Sequence, residues 1–216
     1  METERRTFEI DGLEVRALQD GAPLIVGYAV VFNSLSEVMV DARGRKFRER
    51  IAPGAFDRVL AGAPDVRALW NHNADLPLGR TRNNTLRVTK DGQGLRIELQ
   101  PDPATFWGAS AVAAIRRGDV SGMSFSFTVN GPTGDTWDKP GPDGVALRTL
   151  LDADLYEVSP VTFPAYPATQ VMVRSVSVPD FENESDSQAA DEIGERDADR
   201  AVTARLQHEL DILRRR

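Results

Sequence analysis

Gly118-Asp119-Val120-Ser121-Gly122-Met123-Ser124-Phe125-Ser126-Phe127 runs from a helix-stop glycine into an alternating segment. Side chains on a strand project to opposite faces in turn. Met123, Phe125, Phe127 and Val129 therefore share an apolar face, and Gly122, Ser124, Ser126 and Thr128 a small polar one. Such a strand can wall a core with its back and floor a cleft with its front. Most serines on half-buried strands only pack or face water. Ser124 becomes a candidate nucleophile if the rest of the chain supplies a base.

Outward from this strand, residues 103–117 read as a helix packing through Phe106, Ala109, Ala113 and Ala114, with Gly118 as its stop. Towards the N-terminus, residues 7–17 suggest two short strands about the turn Asp11-Gly12. Residues 24–32 are apolar on both faces, as in a central strand, and Gly27 marks a bulge or close approach. Residues 46–51 suggest a charged edge strand, and residues 53–60 a short helix opened by Pro53. A strand over 66–72 ends on His72, residues 73–77 read as a loop, and strands follow at 79–88 and 94–99. Beyond the central stretch, residues 131–144 read as an exposed Gly/Pro/Asp loop. Residues 146–158 read as a strand broken near Asp152, then extended chain to Phe163, a turn at 164–168 and a last strand at 170–176. Many short strands with two or three helices make the fold class α+β and strand-rich, a barrel rather than a doubly wound sheet.

The chain of 216 residues suits one domain with an appendage. The expected division is 1–178 for the body and 179–216 for an acidic linker and terminal helix. Residues 179–198 hold few large apolar groups to offset ordering entropy. Val202, Leu206, Leu210 and Leu213 then form one helical stripe, suited to a partner or to a second copy. A net charge of −7 argues against a nucleic-acid partner. With no cysteine and two histidines, disulfides, thiol catalysis and a three-histidine metal site are excluded, and no cofactor is expected. No apolar run suits a membrane span or signal peptide, so a cytoplasmic setting is expected.

A serine hydroxyl is a weak nucleophile until a base takes its proton. His72 is the one imidazole of the body, since His208 falls in the tail. A third group must orient the ring and stabilise the imidazolium. Glu157 alternates in register with Leu151 and Leu155, where a carboxylate costs free energy without a partner. It ranks first, before Asp154 and then Asp75. The approach Arg116-Arg117-Gly118 offers amides for an oxyanion. Gly122-Met123-Ser124-Phe125-Ser126 is not the Gly-x-Ser-x-Gly elbow, because alternation continues past the serine.

Leu69-Trp70-Asn71-His72, Pro77-Leu78-Gly79-Arg80, Ser121-Gly122-Met123-Ser124-Phe125-Ser126-Phe127 and Leu155-Tyr156-Glu157-Val158-Ser159-Pro160-Val161-Thr162-Phe163-Pro164-Ala165 occur in that order. Together, over residues 24–175, they resemble the prohead (capsid maturation) serine proteases of tailed bacteriophages. The resemblance implies a β-barrel with surrounding helices, like the herpesvirus assembly proteases, with His72 as base and Ser124 as nucleophile. It also implies cleavage of capsid precursor and scaffold, often with self-cleavage, inside the assembling prohead in the host cytoplasm. A homodimer follows from the same likeness. The family commonly has glycine where this chain has Ser126, which puts three serines, 121, 124 and 126, in contention; the flanking anchors Met123 and Phe125 favour Ser124. Self-cleavage is expected near residues 175–198. A different class of function, a non-catalytic capsid assembly or scaffolding factor, is the alternative suggested by the acidic linker and terminal helix.

Overall fold

The computed structural model describes residues 3–9, 12–163, 171–173 and 176–181. Its elements, in order, are β1 (Glu4–Glu9), β2 (Glu14–Ala17), β3 (Pro23–Val31), β4 (Met39–Asp41), β5 (Lys46–Ile51), α1 (Asp57–Ala61), β6 (Arg67–Trp70), β7 (Asn73–Arg80), β8 (Leu86–Lys90), β9 (Gly94–Leu99), α2 (Phe106–Arg117), β10 (Gly122–Val129), β11 (Asp135–Asp138), β12 (Ala146–Leu150), β13 (Ala153–Val161) and β14 (Val171–Val173). The chain divides into two compact units, Met1–Val178 and Pro179–Arg216, and all of these elements lie in the first. The expected terminal helix lies outside the described residues.

The strands form three sheets, ordered β1-β10-β13-β6-β7, β11-β12-β5-β4-β14 and β2-β3-β9-β8. The architecture is α+β and strand-rich as expected, but no sheet closes into the expected barrel. Closure needs the outermost strands to pair. In the first sheet β1 and β7 stand at opposite ends instead. Nor do β1 and β2 form the expected hairpin, for β1 pairs with β10 and β2 with β3.

The apolar back of β10 is core: Met123, Phe125 and Phe127 are fully buried. Phe125 meets Phe56 edge-on at 6.1 Å and stacks on Phe127 at 5.1 Å. Helix α2 starts on Thr105, whose Oγ1 accepts the Gly108 amide at 3.1 Å, and stops at Gly118 with φ 78°. It buries Gly108, Ala111, Val112 and Ile115 rather than the face expected, and Phe106 is left exposed. The true stripe has helical i, i+3, i+4, i+7 spacing and starts two residues later than the expected one, roughly half a turn round the helix.

Several expected loops and edges are ordered strands. Residues 73–77 begin β7, paired to β6 across two register shifts. The segment 131–144 contains β11, where Trp137 packs 5.4 Å from Phe47. β5 is interior, between β12 and β4. Its buried Glu49 escapes the penalty for a lone charge because guanidinium groups surround it. Arg6 donates to it at 2.7 and 2.8 Å, and Arg148 at 2.9 Å. Arg148 also bonds Glu4 at 2.7 Å and Asp135 at 2.6 Å, so a buried ionic network fastens β1 to the second sheet.

Candidate active site

His72 stands in a two-residue turn between β6 and β7, with Trp70 paired to Asn73. Asn71 and His72 have φ of 49° and 61°, the pair of left-handed residues that a type I′ hairpin demands. Asn and His tolerate this region better than most residues. Several bonds tie the turn to the end of β13, three of them from backbone amides. The Asn71 amide donates to the Pro160 carbonyl at 3.2 Å, the Thr162 amide to Asn71 Oδ1 at 2.9 Å, and the His72 amide to Ser159 Oγ at 3.3 Å.

The turn aims the imidazole at Glu157, with His72 Nδ1 2.5 Å from Glu157 Oε1. A carboxylate at this distance holds the ring proton on Nδ1 and leaves the Nε2 lone pair as the basic one. Ser159 Oγ donates to the same carboxylate oxygen at 2.7 Å, and Ser126 Oγ to Oε2 at 2.8 Å. Burial pushes the Glu157 carboxyl up, but the bonds from His72, Ser159 and Ser126 outweigh it and hold the group below the ordinary carboxylate range.

Ser124 is fully buried, directly across from Ser159 in the β10–β13 register. Its hydroxyl is turned towards β1. It accepts from Thr7 Oγ1 at 3.0 Å and donates to the Arg6 carbonyl at 2.9 Å. Among the described residues no hydrogen bond joins it to His72. Ser121 is exposed, ahead of the strand. The geometry therefore joins His72 to Glu157 and Ser126 to Glu157, and sets Ser124 two residue pairs along the ladder from the Ser126–Glu157 pair.

The two other acids do not reach the imidazole. The Asp154 carboxylate receives Arg58 at 2.6 Å; Asp75 is exposed, and its backbone amide donates to Asn73 Oδ1. Nor are the amides after Arg116 open to an oxyanion. The Gly118 amide donates to the Ile115 carbonyl and the Asp119 amide to that of Ala114, closing the helix. The residue of this hydrogen-bonded group that the sequence reading did not single out is Ser159. Its sequence signal is a serine two places after an acid, inside the segment Glu157–Val161, which is buried throughout.

Glu157 reaches the serine face by a route that plain alternation does not give. Ser126 pairs with Glu157 but Phe127 pairs with Leu155, so Tyr156 is an extra residue, a β-bulge. Leu155 faces the core with Phe127, and Glu157 faces outward with Ser126. The carboxylate was expected among apolar neighbours. It lies among hydroxyls and an imidazole instead. The groups assembled here, a hydroxyl, an imidazole and an orienting carboxylate, are those of nucleophilic acyl transfer.

Among the described residues no group of three or more His, Asp or Glu could hold a metal, and no helix is long and apolar enough to cross a membrane. No solved structure matches the chain. A prohead protease from Enterobacteria phage HK97 is 31% identical over 163 residues, which is 74% of this chain and 64% of that protein. The chain thus spans less than two thirds of that relative's length. The family described as caudovirus prohead serine protease matches residues 11–184, a stretch containing His72, Ser124 and Glu157, and the chain belongs to that family.

Proposed function

We propose that this chain is a serine endopeptidase of prohead maturation, with Ser124 as nucleophile, His72 as general base and Glu157 as the acid that orients the ring. The observation that carries the reading is the 2.5 Å contact between Nδ1 of the body's one imidazole and Glu157, which leaves Nε2 as the basic nitrogen. Ser124 turns its hydroxyl from β1 towards Nε2 by a change of χ1. Its Oγ then attacks the scissile carbonyl while Nε2 takes the proton, and Glu157 stabilises the imidazolium. The imidazolium returns the proton to the leaving amine. Water, deprotonated by the same nitrogen, releases the acyl group. Ser126 is not the nucleophile in this scheme, since its hydroxyl proton is directed to Glu157 Oε2.

By family, the substrates are the major capsid protein precursor and scaffold segments inside the assembling prohead in the host cytoplasm. Self-cleavage near residues 175–198 belongs to the same proposal; most of that range lies outside the described residues. Homodimerisation and a herpesvirus-protease-like fold rest on the family likeness alone. Replacing Ser124 with Ala is expected to lower cleavage of the capsid precursor on the order of 10⁶-fold. Wild-type rates in a folded Ser124→Ala protein would refute the assignment.

The complete burial of Ser124 favours a second reading, a non-catalytic assembly factor. The two part on a simple result. Under the second reading, intact mass spectrometry finds no new fragments after mixing with capsid precursor, and serine-directed covalent reagents leave the chain unlabelled.

A further inference from the structure

A fully buried hydroxyl needs partners, because an unsatisfied one costs about 1–3 kcal/mol. Ser159, at 0% exposure, has two. Its proton goes to Glu157 Oε1 at 2.7 Å, and a lone pair accepts the His72 amide at 3.3 Å. Glu157 Oε1 in turn meets His72 Nδ1 at 2.5 Å. The links close on themselves: His72 amide to Ser159, Ser159 to Glu157, Glu157 to the ring of the same His72. One hydroxyl thus holds both the backbone and the side-chain partner of one imidazole.

The turn makes this hold necessary. The amide at the second central position of a two-residue hairpin has no partner in the ladder. The left-handed conformation of His72 is also intrinsically costly, and persists where surrounding bonds over-determine it. Ser126 completes the arrangement on the other carboxylate oxygen. With one donor from each serine, the Glu157 carboxylate is fixed in plane as well as in place.

We infer that Ser159 is a positioning residue of this peptidase site, setting the angle at which the His72 ring presents Nε2. It acts through His72 and Glu157 and touches no substrate. The inference rests on His72 being the general base, as proposed above. Without the hydroxyl, the His72 amide loses its acceptor and Glu157 loses one of three donors. The ring keeps a partner but not a fixed orientation, and misplacement by about 1 Å costs on the order of 10²-fold in rate.

The test uses the full chain carrying Ser159→Ala or Ser159→Thr. Proton NMR follows the downfield Nδ1–H signal of His72, assigned by its loss in His72→Ala, and kinetics follow cleavage of the capsid precursor. Ser159→Ala is expected to broaden or shift that signal and to lower kcat about 10- to 100-fold with KM little changed. Ser159→Thr, which keeps the hydroxyl, is expected to restore both. An Ala variant with wild-type signal and kcat overturns the inference, and so does a folded Thr variant as impaired as Ala. If Ser159→Ala does not fold, Ser159→Cys replaces it, since a thiol is a weak donor and acceptor and should give an intermediate loss; a wild-type signal and kcat in that variant likewise overturn the inference. The signal should persist in Ser124→Ala. Cleavage retained by Ser124→Ala, with the signal lost in Ser159→Ala, would sink the nucleophile assignment and leave the role of Ser159 standing.

Discussion

Removing the hydroxyl of Thr7 should make the enzyme faster. Ser124 Oγ accepts from Thr7 Oγ1 at 3.0 Å and donates to the Arg6 carbonyl at 2.9 Å. To attack, it must turn its proton to His72 Nε2. The turn breaks two neutral hydrogen bonds and makes one, a net loss of about 0.5–1.5 kcal/mol. With about 1.4 kcal/mol per tenfold, the attack-ready rotamer is disfavoured roughly 2- to 13-fold. Valine approximates the shape of threonine without the donor. In Thr7→Val the resting rotamer keeps only its bond to Arg6, so breaking and making balance. The expected outcome is a rise in kcat of roughly 2- to 13-fold, with KM little changed and Thr7→Ser behaving as wild type. The assay is initial-rate cleavage of the capsid precursor, with circular dichroism to verify folding. A folded Thr7→Val protein with equal or lower kcat would refute the claim that β1 competes with His72 for the Ser124 hydroxyl.

Two further predictions concern what holds the site together. Glu49→Gln strips the buried carboxylate that takes two bonds from Arg6 and one from Arg148, leaving guanidinium charge uncompensated. It should cost about 3–5 kcal/mol in chemical denaturation and speed amide exchange along β1; a loss under about 1 kcal/mol would mean the network is dispensable. Asp41 is a buried carboxylate whose burial pushes its pKa up. Amide bonds from Arg45, Val178 and Arg43 and the Arg45 guanidinium outweigh this and hold it at about 2. A folded-state pKa lowered in this way gives stability that is complete above the unfolded value near 4 and lost as pH falls towards 2. Thermal melts should therefore fall through that window, and Asp41→Asn should flatten the slope while lowering the melting temperature at neutral pH. An unchanged slope in that variant would place the acid sensitivity elsewhere.

The face-by-face reading of β10 needed no structure, because eight residues of clean alternation fix which side is core. The choice of His72 had a different basis: a chain with so few imidazoles leaves few alternatives. What failed was inference from polarity. Lys46–Ile51 looks like an edge because it is charged, yet β5 is interior, since Arg6 and Arg148 come from distant positions to neutralise Glu49. The 131–144 segment looks like a loop by composition, yet Trp137 and the pairing of β11 with β12 give its middle a place to pack. Non-local partners decide such cases, and local sequence does not carry them.

Glu157 shows how the carboxylate that meets the imidazole can be reached by incomplete physics. Alternation alone sets it beside Leu155 on the core face, where its only recourse would be a compensating charge. The chain instead inserts Tyr156 as a bulge, and the inward residues run Ala153, Leu155, then Val158. The step from 155 to 158 is odd where a regular strand allows only even ones. That slip was readable: two core-sized residues three apart, with a tyrosine and an acid between them. Its consequence is chemical. With the bulge, the same carboxylate meets Ser126, Ser159 and His72, and can stay ionised while buried. If the strand kept Tyr156 but lost the bulge, regular alternation from Leu155 would turn Glu157 inward, away from the imidazole. The irregularity in β13 is therefore what converts a sheet with a serine face into one that can carry an acid–base pair.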